Sequence, residues 1–228
     1  MPIDIARNVR YFQERLADTE CRLVVVSKTQ PIAAIQQAYD AGARLFGENR
    51  AQELAEKAAA LPADIEWHLI GHLQTNKVKL VAPFVHVVES VDSLRLLLAL
   101  ERHAAYHQRR IAALLQFRIG QEETKTGMTW DEAVELIESP ETALLQYVYL
   151  AGVMGIATNT DDSAQIQREF EQLRYYFLDL KSRYFAENDT FREISMGMSH
   201  DWQLALPAGS TLIRVGSAIF GERTYNRK

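Results

Sequence analysis

Eight short apolar runs, separated by segments of helical pattern, constrain the fold of this chain more than any other feature. The first run is Leu-Val-Val-Val at residues 23–26, and three of its four residues are β-branched. Continuous runs of this kind are typical of strands buried on both faces, as in parallel sheets. The eight predicted strands are residues 23–26, 44–46, 66–70, 84–88, 111–119, 147–153, 190–195 and 211–215.

Helical patterns precede and follow these runs. Ile5, Val9, Phe12 and Leu16 recur at helical spacing and predict an extra amphipathic helix before the first strand. Strands that alternate with helices without a low-complexity linker are the pattern of an α/β protein of the (β/α)8 TIM-barrel type. An open doubly wound sheet is the alternative, but the usual glycine-rich nucleotide-binding signatures are absent from the sequence. We therefore predict a single barrel domain over residues 1–228.

Two helix starts are marked by polar residues. Thr129 and Glu132 have the spacing of a capping box, and the helix that they open should run to about residue 138. Asp161 and Asp162 precede a long amphipathic pattern. Acidic groups are stabilising there, because the N-terminal end of a helix is positive. In the segment after the fourth predicted strand, Ser90 and Asp92 are the candidate caps.

Composition limits the class of partner and the compartment. The net charge of −5 argues against a nucleic-acid partner that depends on phosphate neutralisation. The single cysteine, Cys21, cannot form an internal disulfide, which favours a reducing compartment. The N-terminal residues lack the apolar core of a secretory signal, and no apolar run is long enough to span a membrane. We expect a cytoplasmic protein with no membrane or nucleic-acid partner.

Lys28 directly follows the first predicted strand. Thr29, Gln30 and Pro31 come next and predict a turn into a helix. A lysine that is partly desolvated at such a turn can act as a nucleophilic amine toward an aldehyde. Lysines that end a strand and reach into water are much more common, so Lys28 by itself leaves both interpretations open.

The segments after the last two strands combine small residues with hydroxyl groups. Residues 195–199 follow predicted strand seven, and residues 214–218 follow strand eight. In a barrel, loops seven and eight are the usual phosphate site, where backbone N–H groups and hydroxyls meet the ligand. Ordinary turn chemistry accounts for the same residue types, and the sequence does not separate the two interpretations.

Two further groups of polar residues have a structural explanation that we favour. His68 and His72 lie four residues apart, but Gly71 intervenes and no cysteine lies near them in sequence, so we predict no metal site. Glu122, Glu123 and Lys125 form either an acid–base group over the pocket or, as we prefer, a solvated charged loop.

Five motifs in a fixed order give the chain a resemblance to a known family. They are residues 26–29 (VSKT), 46–53 (FGENRAQE), 67–77 (WHLIGHLQTNK), 195–199 (SMGMS) and 209–221 (GSTLIRVGSAIFG). Over nearly its whole length the chain resembles the pyridoxal phosphate homeostasis proteins. The resemblance implies a PLP fold type III barrel, similar to the N-terminal domain of alanine racemase, that binds pyridoxal 5′-phosphate (PLP). It also implies a carrier or regulator in vitamin B6 homeostasis without catalytic turnover.

The same resemblance assigns residues to the cofactor. Lys28 matches the lysine that forms the Schiff base, and Ser199, Gly216 and Ser217 match the phosphate-binding loops. Arg214 matches the arginine that faces the pyridine nitrogen in the related racemases. A guanidinium there disfavours protonation of that nitrogen and weakens the cofactor as an electron sink. The remaining two residues expected at the pocket are Asn49 and Met196.

The chain departs from the family pattern at two places. Arg118 stands in the segment of the fifth predicted strand where the family commonly has asparagine, and it points either into the barrel mouth or outward. Ala157 and Thr158 stand where a proline is common. Neither departure touches the lysine motif.

The resemblance leaves an enzymatic alternative, a PLP-dependent amino-acid racemase. Such racemases carry a second domain and take a second base from a partner subunit, whereas this chain ends at Lys228 after the eighth unit. We therefore expect a carrier, a monomer whose candidate recipients are apo-enzymes that use PLP. A Schiff-base aldolase without cofactor is a weaker alternative on the same barrel.

Overall fold

In the computed structural model, which describes residues 3–121 and 126–221, eight parallel strands close into one barrel. Each strand pairs with its neighbours in the chain, and the last pairs with the first. The strands are β1 (Arg22–Val26), β2 (Leu45–Glu48), β3 (Glu66–Leu69), β4 (Val87–Val91), β5 (Ile111–Phe117), β6 (Val148–Gly155), β7 (Glu193–Met198) and β8 (Leu212–Val215). The predicted (β/α)8 fold is confirmed.

Helices surround this barrel. They are α1 (Ile5–Leu16), α2 (Ile32–Asp40), α3 (Ala51–Ala60), α4 (Val78–Val81), α5 (Leu94–Tyr106), α6 (Trp130–Glu138), α7 (Ser163–Tyr184), α8 (Trp202–Ala205) and α9 (Ser217–Phe220). The extra N-terminal helix is α1, and it buries the four apolar residues that predicted it. Of the helices within the described ranges, none is both long enough and apolar enough to cross a bilayer.

The predicted helix starts have mixed outcomes. The capping box of α6 is present, with Thr129 and Glu132 bonded reciprocally, and Asp162 caps α7. Ser90 is not a cap, because it lies within β4 and its hydroxyl donates to the Gly71 carbonyl. The cap of α5 is Ser93, whose Oγ accepts from Leu96 N–H.

Two strands begin three residues later than predicted. Before β4, Phe84 and Val85 are apolar, but their N–H groups bond to the carbonyl of Val81 at the end of α4. The strand instead continues through Glu89, which is fully buried inside the barrel although it is charged. Apolar residues that follow a helix can therefore be mistaken for the start of the next strand. A polar residue inside that strand hides its true extent. Strand β7 is displaced in the same direction.

The core has two apolar layers. The larger lies between the strands and the surrounding helices. The smaller lies inside the barrel and consists of Val24, Ala112, Leu114, Ala151, Met154 and Leu212. The barrel interior is therefore packed, and the polar groups described next interrupt it at defined positions.

Candidate functional site

A cavity of about 400 Å³ opens at the carboxyl ends of the strands. Six of the seven residues that the sequence predicts at the cofactor line it: Lys28, Asn49, Ser199, Arg214, Gly216 and Ser217. Val26, Ile70, Ile156, Met198 and His200 complete the wall. The described residues that line this cavity include two basic side chains, Lys28 and Arg214, and no carboxylate. The arrangement therefore favours an anionic ligand.

Met196, the seventh expected residue, does not line the cavity. Its side chain is fully buried in the apolar layer between the barrel and the helices. Side chains alternate between the two faces of a regular strand, but β7 has a register irregularity between Ser195 and Met198, so a residue two positions later takes the inward place. That residue is Met198, which is part of the cavity wall.

The Ser199 hydroxyl joins the loops after β7 and β8. Its Oγ accepts hydrogen bonds from Gly216 N–H at 3.2 Å and from Ala218 N–H at 3.3 Å. A Cβ at Gly216 would lie 3.0 Å from the carbonyl oxygen of Val26 on β1, so glycine lets the loop approach β1 closely without crowding that oxygen. The two loops thus place backbone N–H groups and hydroxyls at one edge of the cavity.

Asn49 contributes an unused acceptor. Its Oδ1 is buried and has no hydrogen-bond partner in the protein. A buried acceptor without a partner is costly, and a ligand that donates a hydrogen bond removes this cost. Glycine at position 71 leaves room for the Asn49 backbone, since a Cβ at position 71 would lie 2.5 Å from the Asn49 carbonyl oxygen.

Lys28 lies on a turn that is held by four residues, none of which lines the cavity. We call Ser27, Glu48, Glu53 and Lys57 the Lys57 cluster. Lys57 Nζ lies 2.7 Å from Ser27 O, 2.7 Å from Glu48 Oε1 and 2.6 Å from Glu53 Oε1. The Ser27 hydroxyl donates to Glu48 Oε1 at 2.7 Å. Three ammonium protons thus meet three oxygens, which satisfies a lysine that is only 5% exposed.

Burial and pairing act in opposite directions on the carboxyl groups of the Lys57 cluster. Burial raises the pKa of Glu48, and the hydrogen bonds from Lys57 and Ser27 only partly oppose it. For Glu53, burial also acts to raise the pKa, but the bonds from Lys57 and the Thr29 N–H outweigh it and lower the pKa. Glu53 is therefore the firmly ionised partner of Lys57.

A second buried group, the Arg214 network, consists of Arg214, Ser195, Glu89 and His68. Arg214 donates to Ser195 Oγ at 2.6 Å and to the Gly155 carbonyl at 2.9 Å. Ser195 in turn donates to Glu89 Oε2 at 2.5 Å, and His68 Nδ1 lies 2.6 Å from Glu89 Oε1. These contacts fix the guanidinium in the floor of the cavity.

Charge pairing decides the protonation state in the Arg214 network. Burial alone would raise the pKa of Glu89, but the hydrogen bond and charge of His68 and the charge of Arg214 reverse this and lower it. Burial lowers the pKa of Arg214, and Glu89 opposes that change. Arginine is not deprotonated in proteins, so the guanidinium stays charged and needs the Glu89 carboxylate.

The other residues that the sequence singled out lie away from the cavity. Arg118 is exposed and contacts the Gly127 carbonyl, so it does not charge the barrel mouth. Thr158 bonds to Glu169 through its N–H and its hydroxyl. His72 is exposed beside Asp92, and the described ranges contain no cluster of metal-ligating side chains. Glu122, Glu123 and Lys125 lie outside the described residues.

Sequence reasoning identified six of the residues that line the cavity but missed the Lys57 cluster and the Glu89 carboxylate. Glu53 and Lys57 lie four residues apart on α3. This spacing is typical of ion pairs on an exposed helix surface, so the sequence does not indicate their burial. Glu89 has no sequence signal of its own, because its partners come from β3, β7 and β8.

Known proteins are similar to this chain over nearly its whole length. The family model described as alanine racemase, N-terminal domain, matches residues 3–224. A pyridoxal phosphate homeostasis protein of Pasteurella multocida is 35% identical over 98% of this chain and 96% of its own length. The protein of that name from Escherichia coli K12 is 36% identical over 99% of both chains.

Solved structures show the same barrel. PipY of Synechococcus elongatus PCC7942, solved with PLP bound, is 37% identical and superposes with a TM-score of 0.85 over 96% of this chain and 100% of its own. An alanine racemase of Bartonella henselae with covalently bound pyridoxal phosphate is 17% identical, with a TM-score of 0.72. It covers 98% of this chain and 62% of its own, and at that identity it shows the shared fold alone.

Proposed function

The chain belongs to the pyridoxal phosphate homeostasis protein family, and we propose that it binds PLP as a Schiff base on Lys28 and holds the cofactor for vitamin B6 homeostasis. One observation carries the proposal. Lys28, Arg214 and the Ser199 loop line a single cavity that has no carboxylate among its described lining residues.

The residues present fit the groups of this cofactor. PLP supplies an aldehyde that condenses with an amine with loss of water, an electron-withdrawing pyridine ring and a phosphate dianion. Lys28 provides the amine, and the loops with Ser199, Gly216 and Ser217 provide donors for the phosphate. Asn49 provides its unpaired acceptor for a donor on the ligand.

Arg214 favours holding over catalysis. A guanidinium paired to Glu89 through Ser195 keeps its charge and orientation in the cavity floor. If this group faces the ring nitrogen, it disfavours protonation there and limits how far the ring can stabilise a carbanion. We therefore propose a carrier without sustained turnover rather than a racemase.

The carrier role implies a wider setting, which we also propose. The chain acts as one domain over residues 1–228 and as a monomer in the cytoplasm. Its recipients are apo-forms of PLP-dependent enzymes, to which the loaded protein delivers the cofactor.

Purified protein titrated with PLP should show an absorbance band near the visible edge, because an imine with Lys28 extends the conjugation of the ring. Borohydride should remove the band. A protein that stays colourless at saturating PLP would contradict the proposal. α-Deuterium exchange followed with a panel of amino acids should show no sustained turnover, and turnover at ordinary enzyme rates, about 1 s⁻¹ or more, would favour the racemase.

Ser199→Ala should weaken phosphate binding selectively. The change removes one hydroxyl and the acceptor that organises Gly216 and Ala218 N–H. Hydrogen bonds to charged groups contribute about 1.5–3 kcal/mol, so the Kd for PLP should rise about tenfold or more. Pyridoxal, which has the aldehyde but no phosphate, should bind the variant and the wild type equally. Equal losses for both ligands would place the phosphate elsewhere.

A further inference from the structure

We propose that Glu53 is a positioning residue for Lys28. Its carboxylate, anchored by Lys57, holds Thr29 in a left-handed backbone conformation that directs the Lys28 side chain into the cavity. The inference rests on the proposed function, since it concerns how the lysine is presented to PLP.

Thr29 has a backbone conformation that its residue type disfavours. Its φ is +65°, in the left-handed region, and Gln108 is the other non-glycine residue with a positive φ in the described ranges. For a β-branched side chain such a φ is an outlier. Strain of this kind persists only where surrounding contacts enforce it, and such positions cluster at functional sites.

The turn hydrogen bond from Gln30 N–H to the Ser27 carbonyl spans Thr29, and Glu53 adds the side-chain contact that enforces its conformation. Glu53 Oε1 accepts a hydrogen bond from the Thr29 N–H at 2.6 Å, and the same oxygen lies 2.6 Å from Lys57 Nζ. This N–H belongs to the peptide bond between Lys28 and Thr29. Glu53 therefore fixes the orientation of the peptide that follows Lys28.

Lys57 connects both sides of the lysine. Its Nζ also binds the carbonyl of Ser27, which belongs to the peptide that precedes Lys28. The Ser27 N–H bonds to the Gly47 carbonyl and its hydroxyl to Glu48, so this side is held by β2 as well. One buried ammonium thus ties the peptides on the two sides of Lys28 to one point, and only the Thr29 side depends on Glu53.

The Lys57 cluster does not line the cavity directly. None of its four residues is among those that line it, whereas Lys28 is. The contacts reach the cavity only through the backbone on either side of Lys28. Loss of Glu53 should let Thr29 relax to a negative φ and turn the Lys28 side chain away.

The test compares Schiff-base formation in Glu53→Ala, Glu53→Gln and each of these combined with Thr29→Gly. Glycine adopts a positive φ at no steric cost, so it should replace the contact that Glu53 provides. We expect the rate of band formation with PLP to fall about tenfold in E53A and by an intermediate factor in E53Q. Thr29→Gly should bring both to within about threefold of the wild type. Glu56→Ala, an exposed change on the same helix, is the matched control and should load normally.

A second readout separates positioning from general damage. Pyridoxine 5′-phosphate has the ring and the phosphate but no aldehyde, so it cannot bond to Lys28. Its Kd should stay within about threefold of wild type in every variant, with measurements made where urea curves show full folding. An equal loss for both ligands would mean that the cavity has collapsed, and it would contradict the inference.

Each outcome has a defined meaning. Wild-type loading in E53A, or failure of Thr29→Gly to restore loading, overturns the role of Glu53. If E53A does not fold, the E53Q pair carries the same comparison, and normal loading by E53Q then overturns it. A wild type that never forms the band contradicts the proposed function instead, so the two failures are distinguishable.

Discussion

Lys28→Ala should abolish the absorbance band and all cofactor that borohydride can fix to the protein. Lys28 is the one lysine among the described residues that line the cavity, so its loss removes the amine while the loops around Ser199 and Arg214 remain. We expect the Kd for PLP to rise at least about a hundredfold, because only the non-covalent contacts persist. Absorbance titration and mass measurement after reduction check both expectations.

The matched control for this change is Lys79→Ala. Lys79 is exposed on α4, and its removal should leave the band and the Kd unchanged. A band of normal intensity in Lys28→Ala would mean that another lysine, such as Lys125, carries the cofactor. A weak band that appears only at high PLP would instead report scattered surface adducts.

Glu89→Gln should destabilise the protein by about 3–5 kcal/mol, since removal of one partner of a buried ion pair leaves the other charge uncompensated. Glu89 is fully buried, and its Oε2 accepts from Ser195 and lies 3.9 Å from Arg214 NH1. Urea unfolding of the apo-protein measures the change. Glu66→Gln, an exposed change on β3, is the control and should cost less than about 0.5 kcal/mol.

A double-mutant cycle shows whether the cost comes from Arg214. Arg214→Met removes the stranded cation, so the double variant should be more stable than the sum of the two single changes predicts. Additive losses would mean that Glu89 and Arg214 do not depend on each other. In that case the charged floor of the cavity would need another explanation.

The effect of Glu89 should also depend on pH in one direction. Its pKa is lower in the folded protein than the ordinary glutamate value of about 4.3. The stabilisation is therefore fully present above that ordinary value and is lost as the pH falls through the lower folded pKa. The difference in unfolding free energy between wild type and Glu89→Gln should accordingly shrink at acid pH.

The barrel was predictable because its strands have a strong local signal. Runs such as residues 111–115 are apolar and buried along their whole length. The cavity residues were predictable because they follow the strands, where the fold brings loops together. Lys28 and Ser217 lie far apart in sequence and yet line the same cavity.

Two features escaped prediction for physical reasons. Strand β7 has a register irregularity between Ser195 and Met198, so Met198 lies at the pocket where the resemblance had assigned Met196. Charged residues such as Lys57 and Glu89 look solvent-exposed in sequence, and only their partners on other strands allow them to be buried. His68 is 21 residues from Glu89 in the sequence, and Ser195 is 106 residues from it, so no local pattern reveals these partners.

The most direct test of the central claim is the location of the reduced adduct in the wild-type protein. The protein is loaded with one equivalent of PLP, reduced with borohydride, digested and analysed by tandem mass spectrometry. The account predicts a single pyridoxyl group on the peptide that contains Lys28. An adduct on Lys125 or Lys77 instead, with Lys28 unmodified, would contradict it.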